Sequence, residues 1–358
     1  MKLKTLLLIF VLSIIIGVIF YLESQKPKRI STEIRVEEIK PVVTGAREPA
    51  QVPEQKPIAE PKMPERAKEI TTPDGFINID KISIGELIGK KVILIDFWTY
   101  SCINCQRTIP YLNAWHEKYA DKGLVIIGIH TPEFTFEQKY ENVLEAVKKF
   151  GIKYPVVLDN DYSTWTAYRN RYWPRKYLID IDGYIVYNHI GEGFYEETEN
   201  EIRKALGLIG EMAKPEGVVE VDFGQVGSPE VYFGAARNQR LANGQRGVIG
   251  PQSLLPPTSV IKNNLYLMGD WNIQNEFAQN TSANAKIIFR YQAKNVYLVA
   301  SAEKPVSIKI FKDGQLEKSL TVQADELYHL IENSDYAEHT LEILIEQPGL
   351  RAFTFTFG

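Results

Sequence analysis

The chain has 358 residues, enough for two globular domains and something more. Its 41 Lys and Arg stand against 45 Asp and Glu, a net charge of −4 that gives no footing for nucleic acid. Two cysteines and five scattered histidines are too few and too dispersed for a zinc knuckle, so no metal or cofactor is expected.

Lys2 and Lys4 precede an uncharged apolar run from Leu6 to Leu22. A cleavable signal has an apolar core of about 7–15 residues and a small-residue cleavage site. This run is longer and Tyr21-Leu22-Glu23-Ser24-Gln25 lacks an Ala-x-Ala pattern, so residues 1–29 are read as an uncleaved membrane anchor, a single transmembrane helix. The alternative is a long signal peptide. A short N-terminal tail with the bulk of the chain after the run predicts that everything downstream lies outside the cytoplasm. Residues 30–70 carry Pro41, Pro49, Pro53, Pro57, Pro61 and Pro64 among charged residues, the composition of an extended tether.

From 71 to about 210 strand-like and helix-like stretches alternate. Val92 to Trp98 reads as a buried strand and Gln106 to Tyr119 as a helix. Between them lie the only cysteines, in Trp98-Thr99-Tyr100-Ser101-Cys102-Ile103-Asn104-Cys105. Strand, Cys-x-x-Cys, helix is the construction of a thioredoxin-type dithiol. Cys102 would sit at the helix N-terminus, where unpaired N–H groups and the helix dipole favour thiolate, the attacking species. Cys105, one turn further in, would resolve the mixed disulfide. Haem attachment would need His where Gln106 stands. A purely structural disulfide closing so short a loop would constrain the unfolded chain little.

Three residues fit the same pattern. Asp96, six before Cys102, is expected under the dithiol, with a pKa raised by burial, exchanging a proton with Cys105. Pro110 is placed to kink the helix. Pro174, after Trp173 and before Arg175 to Asp180, is expected as a cis-proline facing Cys102. Leu124 to His130 predicts a second buried strand, Glu137 to Phe150 a helix, Pro155 to Leu158 a strand, Tyr162 to Tyr168 a short helix. A hairpin turns at Asp182-Gly183 and Glu196 to Leu206 closes with a helix. Glu133, following the second strand, is a candidate for tuning the site, against a plain solvated carboxylate. Trp98, Tyr100, Trp173 and Pro174 are expected to line the substrate groove.

From 216 to 358 the apolar period becomes two, as in Ile287, Phe289, Tyr291 and Phe353, Phe355, Phe357. This predicts an all-β domain, a sandwich of jelly-roll type. Tyr232, Tyr266 and Trp271 could form a sugar platform, against the alternative of core packing. Asn280-Thr281-Ser282 matches a glycosylation acceptor, a pattern common by chance.

Taken together, Asp96 to Cys105, His130-Thr131-Pro132-Glu133-Phe134, Tyr154-Pro155, Asp159-Asn160-Asp161, Trp165, Tyr172 to Asp180, Gly191-Glu192-Gly193 and the closing Phe353 to Gly358 resemble the extracytoplasmic half of DipZ-type proteins, in the redoxin and TlpA-like branch of the thioredoxin superfamily. The resemblance runs from about residue 72 to the end. It implies a thioredoxin fold followed by a carbohydrate-binding-module-like β-sandwich. It also implies thiol–disulfide exchange outside the cytoplasm, fed by a CcdA- or DsbD-type membrane carrier. DipZ-type chains carry that carrier in the same polypeptide. With a single anchor expected here, the donor would be a separate protein.

The leading reading is a membrane-anchored thiol–disulfide oxidoreductase acting as reductant on protein disulfides, with cytochrome c apoproteins and misoxidised secreted proteins as candidate substrates. One alternative is a redoxin-class peroxidase with antioxidant activity. Thr99 and Cys102 fit half of the motif Pro-x-x-x-Thr-x-x-Cys, but Ile95 holds the proline position. The other is a glycan- or protein-binding module with an ancillary dithiol.

Overall fold

The computed structural model describes residues 65–208 and 226–358. The expected anchor and most of the expected tether lie outside these residues. Among the described residues no helix is long and apolar enough to cross a membrane.

The first domain is an α/β layer structure around a six-stranded sheet. Its elements are β1 (Gly75–Ile77), α1 (Ile84–Leu87), β2 (Val92–Trp98), α2 (Ile103–Tyr119), β3 (Leu124–His130), α3 (Tyr140–Lys149), β4 (Val156–Leu158), α4 (Ser163–Ala167), β5 (Arg175–Ile179), β6 (Ile185–Ile190) and α5 (Tyr195–Ala205). The sheet order is β1-β4-β3-β2-β5-β6. β2 and β3 are parallel, and β5 returns antiparallel on the other side of β2. That is the thioredoxin-like arrangement. Every residue of β2 is buried, Asp96 included, as in a central strand covered on both faces. Gly128, opposite Asp96 on β3, has no room for a side chain. A Cβ there would come within 2.9 Å of the Trp98 indole nitrogen.

On α2 the buried positions Cys105, Ile109, Leu112, Trp115 and Tyr119 recur at helical spacing and face the sheet. Residues 65–70, expected at the end of the tether, are instead tied to this domain. Ala67 N–H donates to Gly183 O, and the Glu69 carboxylate accepts from Ile84 and Gly85 at the start of α1.

Eleven strands make the second domain: β7 (Val231–Tyr232), β8 (Gly250–Leu254), β9 (Leu265–Ile273), β10 (Ala278–Asn280), β11 (Ala285–Gln292), β12 (Asn295–Ser301), β13 (Val306–Lys312), β14 (Gln315–Val322), β15 (Glu326–Glu332), β16 (Glu338–Ile345) and β17 (Arg351–Phe357). The all-β class is as expected, but the strands form one continuous antiparallel sheet rather than two separate ones. The reason is β9. Leu265 to Met268 pair with β11, and Trp271 to Ile273 pair with β10. Gly269, at φ +91°, lets the strand turn between the two partners, so the sheet curls over itself into a nearly barrel-shaped body.

Trp271 and Tyr266 are buried in or against its core, so they offer no sugar platform. Asn280 is buried too. Its side chain donates to Ser282 O and Gln347 O and accepts from Gly349 and Leu350, a loop brace that leaves no open glycosylation acceptor.

The domains share apolar contacts. Phe353 of β17 packs edge-on against Phe134 and Phe136, at 5.1 and 4.9 Å between ring centres. Glu276 accepts from Thr135 N–H and Oγ1–H, and Lys149 pairs with Glu326 at 2.6 Å. The segment between β3 and α3 is therefore held against the β domain.

Candidate active site

Cys102 is the N-cap of α2, in extended conformation, and its Sγ accepts the Cys105 N–H at 3.4 Å. Its carbonyl accepts the Gln106 N–H at 3.0 Å. A sulfur so placed faces the unpaired amides of the helix start. Both cysteines are free thiols; Cys102 is half-buried, Cys105 fully buried. Ile109 packs in the same cluster as Cys105.

Beneath the pair lies a dry, charged floor. Asp96 is 1% exposed, and its Oδ1 has no hydrogen-bond partner. Burial pushes its pKa up to about 7, with Lys176 pulling the other way. Lys176 stands opposite Asp96 in the β2–β5 ladder, and its ammonium donates to Gly191 O at 3.2 Å. It is fully buried, and burial lowers its pKa against the opposing pull of Asp96. Cys105 is held well above the ordinary thiol range, first by burial, then by its hydrogen bond with Cys102 and the nearby Cys102 and Asp96 charges. The Tyr154 hydroxyl, buried and also without a partner, feels both Asp96 and Cys105. A carboxyl poised near neutrality beside a thiol that keeps its proton is suited to moving that proton.

The Cys102 turn is fastened from the other side. Glu137 is fully buried; its Oε1 accepts from Ser101 Oγ at 2.7 Å, and its Oε2 from the N–H groups of Glu133 and Phe134 at 2.6 and 2.9 Å. Burial raises its pKa to about 6. One carboxylate thus joins the residue before Cys102 to the segment that carries Glu133.

In front of Cys102 opens a cleft of about 400 Å³. Cys102, Asn104 and Trp173 form one wall; Glu230, Tyr232 and Arg237 of the β domain form the other. Trp173–Pro174 is a cis peptide, and the Trp173 indole N–H donates to Thr131 O at 2.9 Å. Glu133 lines the cleft as well, not as a solvated loop carboxylate but bound at 2.7 Å by Arg237 and at 3.0 Å by the Tyr232 hydroxyl.

Of the residues expected in the groove, Trp173 lines it. Trp98 does not: it is wholly buried, packed edge-on to His130 at 5.0 Å, because it is the last residue of a strand covered on both faces. Tyr100 also lies away from this cleft. It stacks on His130 and borders a second cavity, of about 530 Å³, between α3 and the β domain. Tyr154 and Lys176 stand within stretches that carry the family resemblance but have no role assigned by sequence, and Glu137 is marked there only as a helix start. A lysine inside an apolar strand was the one available signal, and only for Lys176. Among the described residues no cluster of His, Cys, Asp or Glu is arranged to hold a metal ion.

Residues 65–206 match the redoxin family and residues 228–358 the thioredoxin-like C-terminal domain family. The thiol–disulfide oxidoreductase ResA of Bacillus thuringiensis is 34% identical over 124 residues, covering 35% of this chain and 68% of ResA. The chain belongs to the thioredoxin-like thiol–disulfide oxidoreductases. Within them it is of the DipZ type. Protein DipZ of Mycobacterium tuberculosis is 37% identical over 285 residues, 77% of this chain. The chain spans about 40% of the length of the DipZ proteins that it matches. Among solved structures, a putative thiol:disulfide interchange protein DsbE from Chlorobium tepidum aligns at 22% identity and a TM-score of 0.36, over 40% of this chain and 97% of that one. For an oxidoreductase of this family the arrangement separates two jobs: an accessible sulfur at a helix start, and a buried sulfur over a titratable floor.

Proposed function

We propose that this thiol–disulfide oxidoreductase reduces protein disulfides outside the cytoplasm, with Cys102 as nucleophile and Cys105 as resolving thiol. The observation that carries the reading is the asymmetry of the pair, Cys102 open to the cleft and Cys105 buried over Asp96. In the first step the Cys102 thiolate attacks a substrate sulfur. A Cys102–S bond forms, the substrate S–S bond breaks, and the leaving thiolate takes up a proton. Cys105 then gives its proton to Asp96 and attacks the Cys102 sulfur. The second substrate thiol leaves, and two electrons have passed from the dithiol to the substrate. Trp173 and Pro174 would hold the substrate strand beside Cys102, and Glu133 would tune the field at that end. Cys105→Ser removes the second step, so covalent complexes through Cys102 should accumulate. A Cys105→Ser protein that captures no disulfide partner, with Cys102 shown to be reduced, overturns this order.

The setting of the reaction is part of the proposal. The uncharged run Leu6 to Leu22 supports a single anchor, and the proline-rich stretch after it supports a tether that holds the site away from the bilayer. Oxidised Cys102–Cys105 must be re-reduced by a dithiol donor. A membrane carrier of CcdA or DsbD type would supply the electrons, and cytochrome c apoproteins are among the substrates such a system would serve. Protease accessibility of the domains in spheroplasts tests the orientation, since protection would contradict it.

A further inference from the structure

A turn of three residues, Thr99 to Ser101, joins the end of β2 to Cys102 at the start of α2. Two of its bonds stay inside this strand-turn-helix unit. Cys102 N–H donates to Thr99 O at 3.4 Å, and the Gln106 side chain donates to Tyr100 O at 2.8 Å. Ser101 is gripped from outside the unit. Its N–H and its hydroxyl both donate to Glu137 Oε1, at 3.3 and 2.7 Å. The other oxygen of that carboxylate takes the N–H groups of Glu133 and Phe134. All four donors are neutral, and the side chain is wholly buried. A carboxylate withdrawn from water among neutral donors is costly to keep unless each bond is made, which ties its position closely to theirs. The far end of the link is itself anchored. Thr135 N–H and Oγ1–H donate to Glu276, and Phe134 packs edge-on to Phe353, both partners lying in the β domain. The residue before Cys102 is thus referred, through one side chain, to a segment that the β domain holds.

We propose that Glu137 is a positioning residue for Cys102: by gripping Ser101 it fixes the direction from which the sulfur meets a substrate disulfide. Displacement at sulfur needs the thiolate in line with the bond that breaks, and a nucleophile at the end of a turn keeps that line only if the turn is held. Glu137 acts through Ser101 and leaves the exchange at sulfur as described above. The role deepens the oxidoreductase reading and rests on it. A carboxylate that merely braced the fold would change stability and leave the direction of attack alone.

The test uses the full chain with Cys105→Ser, in which Cys102 is the only thiol and the first attack is read by itself. Two neutral reagents are compared. Dithiodipyridine is a disulfide, and its release of thiopyridone is followed by absorbance. Iodoacetamide is attacked at carbon and reports how much thiolate is present. The ratio of the two rates cancels a change in ionisation and keeps a change in the attack on sulfur. Glu137→Gln should lower that ratio about tenfold, because glutamine offers one acceptor oxygen and turns an N–H toward the other pair of donors. Ser101→Ala should lower it a few-fold. Adding Ser101→Ala to Glu137→Gln should lower it little further, since both act through one link. An unchanged ratio in Glu137→Gln overturns the proposal, even if the melting temperature falls. Effects of the two substitutions that multiply independently overturn it as well. If the parent chain is alkylated at Cys102 yet releases no thiopyridone, the oxidoreductase reading itself falls. Should Glu137→Gln misfold, Ser101→Ala decides, with a lowered ratio expected and an unchanged one contradicting the role.

Discussion

The two sides of the dithiol are built differently. Below Cys105 the floor comes from neighbouring strands of one domain, with Asp96 and Lys176 facing each other across a single register and shut off from water. In front of Cys102 the cleft is assembled by two domains, from residues as distant as Asn104, Glu133, Arg237 and Phe357. A dry floor can displace pKa values and hold a proton in place. A wet cleft screens charges and can only select among partners. The chemistry therefore belongs to the floor and the discrimination to the cleft. Substitutions on the two sides should fail in different ways.

The largest effects come from the sulfurs themselves. Cys102→Ser should abolish disulfide reduction and trap nothing. Cys105→Ser should also stop turnover, yet accumulate mixed disulfides visible on non-reducing gels. Trapping by the Cys102→Ser protein would reverse the two assignments.

Next comes the floor. Asp96→Asn should slow resolution by about a hundredfold or more while leaving the first attack nearly as fast, as measured by stopped flow. The same variant reports on stability. Asp96 titrates near 7 in the folded chain against 3.8 ordinarily. Between those values the folded state binds the extra proton, so this group's contribution falls as pH rises from about 4 to 7 and is flat above. Asparagine has no proton to lose. The melting temperature of the unaltered chain relative to Asp96→Asn should therefore drop between pH 5 and pH 8. A constant difference would mean that Asp96 is not held up by burial.

Of this floor, Asp96 could be read from sequence. A run apolar at every position but one fixes a central strand, and the one aspartate inside it, six before the first cysteine, has few other uses. The cleft could not be read in the same way. Nothing local to Glu230 or Arg237 says that they will face Cys102. That depends on how Phe353 seats against Phe134 and Phe136, a contact over more than two hundred residues. Local pattern also misleads at Trp98 and Tyr100, where adjacency to the motif suggests the groove, but Trp98 is buried in the strand layer and Tyr100 stacks on His130 beside the other cavity. The sheet of the second domain shows the same limit, since period-two patterning reveals strands but not the turn of β9 at Gly269 that joins them into one.

Smaller effects sharpen the division. Lys176 draws the Asp96 pKa down, so Lys176→Met should move the pH midpoint of resolution to the alkaline side. An unmoved midpoint would place the lysine outside the floor. Smallest is Glu133→Gln, on the cleft side. It should change substrate KM by a few-fold, with resolution rates untouched, because the pair it forms with Arg237 is partly solvated. A slowed resolution step would put Glu133 with the floor instead.

The most direct measurement is site-resolved alkylation of the fully reduced chain. Limiting iodoacetamide is added, the reaction is quenched at intervals, and peptide mass mapping reads Cys102 and Cys105 separately. Modification should appear at Cys102 and reach Cys105 only after unfolding, since one sulfur opens on the cleft and the other is sealed over Asp96. Labelling of Cys105 first, or of both at equal rates in the folded protein, would contradict the division between floor and cleft.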